Sequence, residues 1–214
     1  QDIAKYSGAD SDYDIKDNAA ALISAGDDVL NVSGVDVVTA SDTSVDAKIG
    51  GDLAGFTADI EFDVVDNADA IAIEVADSGY GAGSLDEANN VAVVSGDVTA
   101  SEAGAIQSIS GYVGTASDYD ITDTAAALIS ATDSVLNVDG VDTVTVSDGP
   151  VLADTGEKLA QLSKDVEFNV LDDADAIAIE VANSGYGAGS LDEANNVAVV
   201  SGDVTASEAD AIQD

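Results

Sequence analysis

Eight aspartates close short β-like runs, and they are the residues best placed to do chemistry in this chain. They are Asp17, Asp42, Asp66, Asp97, Asp123, Asp148, Asp172 and Asp203, at intervals of 25, 24, 31, 26, 25, 24 and 31 residues. An Asp at such a point has two ordinary uses. It can cap the start of the helix that follows, accepting N–H groups that the helix leaves unpaired. It can also join neighbouring carboxylates, such as Asp173 and Asp175, around Ca²⁺. If the runs lie side by side as parallel strands about 4.8 Å apart, their carboxylates form a ladder. Unit charges about 4 Å apart repel by ~1 kcal/mol in water, so such a ladder must splay, be capped by N–H groups, or be bridged by a cation. The chain has no EF-hand loop and no GGxGxD nonapeptide, so the calcium signal is one of composition alone.

The other chemistry is quickly bounded. Cys, Met, His, Trp and Arg are all absent, which removes disulfides, thiol chemistry and any Ser–His–Asp arrangement. Carboxylate pairs occur by chance among 43 acids, and no His or Arg is present to tune them, so no enzyme is expected. The two SGYGAGSLDEANN segments lack the lysine of a phosphate loop and the spacing of a dinucleotide fingerprint. They read as tight loops built on glycine, with Tyr80 and Tyr186 as candidate self-contact residues between repeats or subunits. Asn31-Val32-Ser33 is a lone glycosylation sequon that the second copy does not keep.

Charge selects among partners. Five lysines (Lys5, Lys16, Lys48, Lys158, Lys164) face 43 acids, for a net charge of −38. Nucleic-acid binding needs cationic residues to displace counterions, so it is excluded. Anionic membrane surfaces are disfavoured and no apolar run is long enough to insert. Cations, a salty environment and glycans remain open as partners.

These residues sit in a repeat. YDIKDNAAALIS at Tyr13 returns as YDITDTAAALIS at Tyr119, and SGYGAGSLDEANNVAVVSGDVTASEA at Ser78 returns unchanged at Ser184. Both offsets are 106 residues, and residues 61–107 differ from their counterparts at five of 47 positions. The expected organisation is copy 1 over 1–106, copy 2 over 107–212, and the opening of a third copy at 213–214. Each copy divides into four modules, a β-run followed by an Ala-rich stretch. Alternation in SDYDIKD marks a strand, with Tyr13 and Ile15 on one side. Thr205 with Glu208 forms a capping-box pattern for a helix. Residues 70–76 alternate as a strand would but hold the position of a helix, and are assigned as one. Strand, helix, strand implies parallel strands with helical crossovers, hence an α/β solenoid of stacked strand-plus-helix modules. The alternative is a pair of all-β sandwich domains, which the Ala-rich runs and the single proline, Pro150, fit poorly.

The segments YDITDTAAALIS and GSLDEANNVAVVSGDVTASEADAIQ resemble the tandem repeats of giant cell-surface proteins of marine cyanobacteria and related proteobacteria. The likeness covers most of the chain as four units. It implies secretion, a surface or matrix location and no catalytic site. The larger share of Asp and the GYGAG loops depart from that pattern. The function expected is a structural repeat of a secreted filament, sheath or giant surface protein that associates with itself end to end. The alternative is a calcium-dependent adhesin or rigid spacer.

Overall fold

The computed structural model describes residues 12–185, 187, 189–203 and 205–213. Every strand pairing in it is parallel. The fold is α/β, made of repeated modules of short parallel strands and helices, and it is not a closed barrel.

The chain forms two compact units. Unit 1 comprises residues 1–96 and 105–117. It holds β1 (Tyr13–Asp17), α1 (Ala19–Ala25), the one-turn α2 (Asp27–Leu30), β2 (Val35–Ala40), α3 (Ala47–Ala54), β3 (Ile60–Glu61), β4 (Asp63–Asp66), α4 (Ala68–Ser78) and β5 (Asn90–Val93). Strands pair in the order β1-β2-β3 in one sheet and β4-β5 in a second. Val45 extends the second sheet beside Val64, and Tyr112 extends it beside Val91. Between β3 and β4 only Phe62 intervenes, buried to 4% exposure, so the chain turns from one sheet to the other around an inward ring.

Unit 2 comprises residues 97–104 and 118–214. It holds β6 (Asp97–Val98), β7 (Tyr119–Asp123), α6 (Ala125–Ala131), the short α7 (Asp133–Leu136), β8 (Val141–Val146), α8 (Ala153–Ala160), β9 (Asn169–Asp172), α9 (Ala174–Ser184) and β10 (Asn196–Val199). Helix α5 (Ala100–Gln107) contains the division between units, and α10 (Ala206–Gln213) follows β10. Its sheets run β6-β7-β8 and β9-β10. The unit boundaries interleave for a reason of pairing. Residues 105–117 cover β5, whereas β6 pairs with β7.

Local sequence explains the start of five helices. Asn18, Asp46, Asn67, Thr124 and Asp173 are N-caps whose side chains accept the N–H three residues on. In α4 the buried residues Ala68, Ile71, Ala72 and Val75 follow helical spacing. Helix therefore prevails over the alternating pattern of residues 70–76, and Ile73 is left exposed. The Thr205–Glu208 capping box forms as read, with the Thr205 N–H donating to Glu208 and the Glu208 N–H donating to the Thr205 hydroxyl. Small residues let helices sit tightly on the sheet. A Cβ on Gly50 would stand 2.7 Å from Val64 Cγ2, and one on Gly156 would stand 2.8 Å from Val170 Cγ2.

Candidate functional site

Four of the eight aspartates, Asp17, Asp66, Asp123 and Asp172, occupy the residue before an N-cap rather than the cap itself. Asp17, Asp66, Asp123 and Asp172 each turn Oδ1 onto the next residue's N–H: Asn18 at 2.8 Å, Asn67 at 2.8 Å, Thr124 at 2.7 Å and Asp173 at 2.8 Å. The second oxygen reaches to the preceding module. Asp66 Oδ2 accepts from Ala47 N at 3.0 Å, Asp123 Oδ2 from Ala100 N at 3.0 Å, and Asp172 Oδ2 from Ala153 N at 2.9 Å. Asp42 and Asp148 make the same reach, to Ala19 N at 2.6 Å and Ala125 N at 3.0 Å.

One carboxylate thus ties two modules together. The first-turn N–H groups of a helix have no partner within that helix. In α1, α3 and α6 the N-cap side chain satisfies the third residue and the next module's Asp satisfies the first. Placing the anion there also suits the positive end of the helix.

Two of the eight aspartates stand apart. At α4 and α9 the first N–H is taken by a backbone carbonyl instead, from Ala68 to Ser95 at 2.8 Å and from Ala174 to Ser201 at 2.7 Å. Gly96 makes this possible. Its φ of 115° is in the left-handed region, and a Cβ there would sit 3.3 Å from Ala68 N. The 31-residue intervals in the sequence arise at these places, so Asp97 and Asp203 lie beyond the junction, both exposed. Asp97 pairs in register with Asp120 at the start of β6.

Further acids bind loop backbone. Asp27 Oδ1 accepts from Thr57 N at 2.9 Å, and its counterpart Asp133 accepts from Ser163 N at 2.8 Å and the Ser163 hydroxyl at 2.7 Å. The Ser163 hydroxyl, and then its N–H, lower the Asp133 pKa. In the glycine-rich loop the N–H groups of Gly81 and Gly83 donate to Asp86 and Glu87, so the loop folds on its own carboxylates. Asp192 and Glu193 repeat this for Gly187 and Gly189. Tyr80 is half exposed and its hydroxyl donates to the Ala105 carbonyl at 2.8 Å, while Tyr186 lies outside the described residues.

Lysine is scarce, and two pairs use it along helix faces: Lys48 with Asp52 at 2.5 Å and Lys158 with Asp154 at 2.8 Å. Beside the second pair, the hydrogen bond to Glu157 and then burial raise the Glu180 pKa. Among the described residues no three carboxylates gather into a cage that could hold a metal ion, and no helix is long and apolar enough to cross a membrane. Asp175, considered as a calcium partner, lies in the first turn of α9, while Asp173 is that helix's N-cap.

The cross-module role of these aspartates was not readable from spacing, because each acceptor reaches a residue 19 or 23 positions earlier. The signal that could have found it is the recurrence of an Ala, at the first helical position, 19 or 23 residues before five of these Asp. No family model matches the chain, and neither a curated protein nor a solved structure similar to it was found.

Proposed function

We propose that this chain is a structural repeat of a secreted filament, sheath or giant cell-surface protein, and that it carries out no catalysis. One observation carries the reading: five helices receive the cap on their first N–H from an aspartate of the next module. A module made this way is complete only when another follows it, as in proteins that extend by repetition. The resemblance of its motifs to bacterial surface repeats agrees with that reading. A surplus of acid on a cysteine-free chain also suits an exposed, long-lived protein. In the calcium-dependent alternative, a cation would compete with N–H groups that already occupy most of the strand-ending carboxylates.

The test is location. Gold-labelled antibody against this repeat, applied to intact cells of the source, should decorate the surface or extracellular filaments. Label found only inside sectioned cells would reject the proposal.

A further inference from the structure

Asp148 differs from the other aspartates that tie modules in the residue that follows it. Asp42, Asp66, Asp123 and Asp172 precede Thr43, Asn67, Thr124 and Asp173, whereas Asp148 precedes Gly149. Its Oδ1 accepts from Ala125 N at 3.0 Å, and the counterpart Asp42 makes the same bond to Ala19 N through Oδ2. The chain is held on both sides of the pair. Ser147 N donates to the Asp123 carbonyl at 2.8 Å, and Val151 N donates to the Asn169 carbonyl at 2.8 Å. Asp148, Gly149 and Pro150 lie exposed between these anchors. Gly149 has a φ of 84°, and no atom stands within 4 Å of the place a Cβ would take there.

An aspartate followed by glycine can react with its own main chain. The glycine nitrogen attacks Cγ of the protonated carboxyl, a C–N bond forms, and the hydroxyl leaves with the amide proton as water. The product is a five-membered succinimide. Water then opens the ring. Opening at Cγ restores aspartate, whereas opening at the former main-chain carbonyl leaves the chain running through Cβ and Cγ, which is isoaspartate. A side chain on the following residue crowds the attacking nitrogen, and glycine lets the backbone approach closely. The Ala125 N–H that holds Oδ1 also stabilises the negative charge that builds on that oxygen during the attack.

We propose that Asp148 is a site of spontaneous isoaspartate formation, and that the conversion cuts the tie between its module and α6. In isoaspartate the free carboxylate hangs directly on Cα, one methylene shorter, and the main chain is one methylene longer. The oxygen no longer reaches Ala125, so α6 loses the cap on its first N–H. The molecule contains two controls. Asp42 holds the equivalent carboxylate but is followed by the β-branched Thr43. Asp139 with Gly140 is the other Asp-Gly pair, and its turn is held closed. Val141 N donates to the Val138 carbonyl at 3.1 Å, and Tyr119 N donates to the Gly140 carbonyl at 2.9 Å. The reaction needs only water, so the proposal goes beyond the structural-repeat reading and does not depend on it.

The purified chain is aged at physiological temperature and near-neutral pH, digested, and sequenced by electron-transfer fragmentation, which distinguishes isoaspartate from aspartate. Isoaspartate should accumulate at Asp148 ahead of Asp139, and not at Asp42. Thr43→Gly, at an exposed position, should create a second site at Asp42. Asp148→Glu should remove the first site and leave the circular dichroism spectrum unchanged. In chains carrying isoaspartate the Ala125 amide should exchange about fivefold faster, the effect of losing one hydrogen bond, while Ala19 keeps its protection. A synthetic peptide of residues 145–153, aged in parallel, shows that the conditions suffice. Conversion in the peptide but not at Asp148 of the folded chain overturns the proposal, as does conversion at Asp139 first. A Thr43→Gly chain inert at Asp42, or an Ala125 amide unchanged in converted chains, overturns it equally.

Discussion

Asp66 Oδ2 accepts a 3.0 Å hydrogen bond from the backbone N–H of Ala47, the first residue of the helix one module earlier, while Asp66 Oδ1 holds the N–H of Asn67. Removing this carboxylate leaves two backbone donors without their acceptor. Asp66→Ala and Asp172→Ala should each lower unfolding free energy by about 1–2 kcal/mol, read from urea midpoints at unchanged slope. Asp97→Ala, at an exposed position past the junction, should change it by no more than about 0.5 kcal/mol. Equal losses at all three sites would show that the tie between modules is not what stabilises them.

Because N–H groups already fill these carboxylates, calcium should add little. Thermal unfolding in millimolar Ca²⁺ and after EDTA should give the same midpoint. A rise with calcium that EDTA reverses would restore the calcium-dependent reading.

Thr132 takes the place of Gly26 at the junction between a helix and the one-turn helix after it, and does so at φ 62°. A β-branched residue is strained there, at a cost of about 1–3 kcal/mol. Thr132→Gly should therefore raise stability by about 1 kcal/mol after the larger unfolded-state entropy of glycine is counted, and Gly26→Thr should lower it.

Two groups of acids should pull stability in opposite directions with pH. Asp133 and Glu208 have folded pKa values lowered by hydrogen bonds from Ser163 and Thr205. Their contribution is present above the unfolded carboxylate pKa and is lost as pH falls through the folded values. Glu180 is raised by its bond to Glu157 and by burial, so its contribution is present in acid and lost as pH rises through its folded pKa. Asp133→Asn should thus be destabilising at pH 7 and neutral near pH 2. Glu180→Gln should stabilise at pH 7 and bring no gain in acid. Parallel melting curves against pH check both signs.

Charge acts on the whole chain as well. With 43 acids against five lysines, self-repulsion opposes the compact state and is screened by added ions. Raising NaCl should increase the melting temperature, and sodium and potassium should act alike. A flat response would mean that the acids are spaced widely enough not to oppose folding.

The period, the strand-then-helix order and the parallel α/β architecture were all legible from residues alone, because each depends on local signals. Alternation around Tyr13 and Ile15 marks β1, and Ala-rich runs behind Asn18 or Thr124 mark helices. The segment 70–76 was the one place where local patterns conflicted. Packing of Ile71, Ala72 and Val75 against the core settled it as helix. Short features such as β3, β6 and the one-turn α2 carry too few residues to show a period.

Sequence by itself determined which residues recur and where carboxylates stand along the chain. Tertiary structure alone decided what those carboxylates hold. Asp123 lies 23 residues from Ala100, and only the length of the intervening turn of chain brings the oxygen to that N–H. The same applies to burial. NVAV is core at β5 and surface at β10, since exposure belongs to whatever neighbour covers a strand and not to its letters.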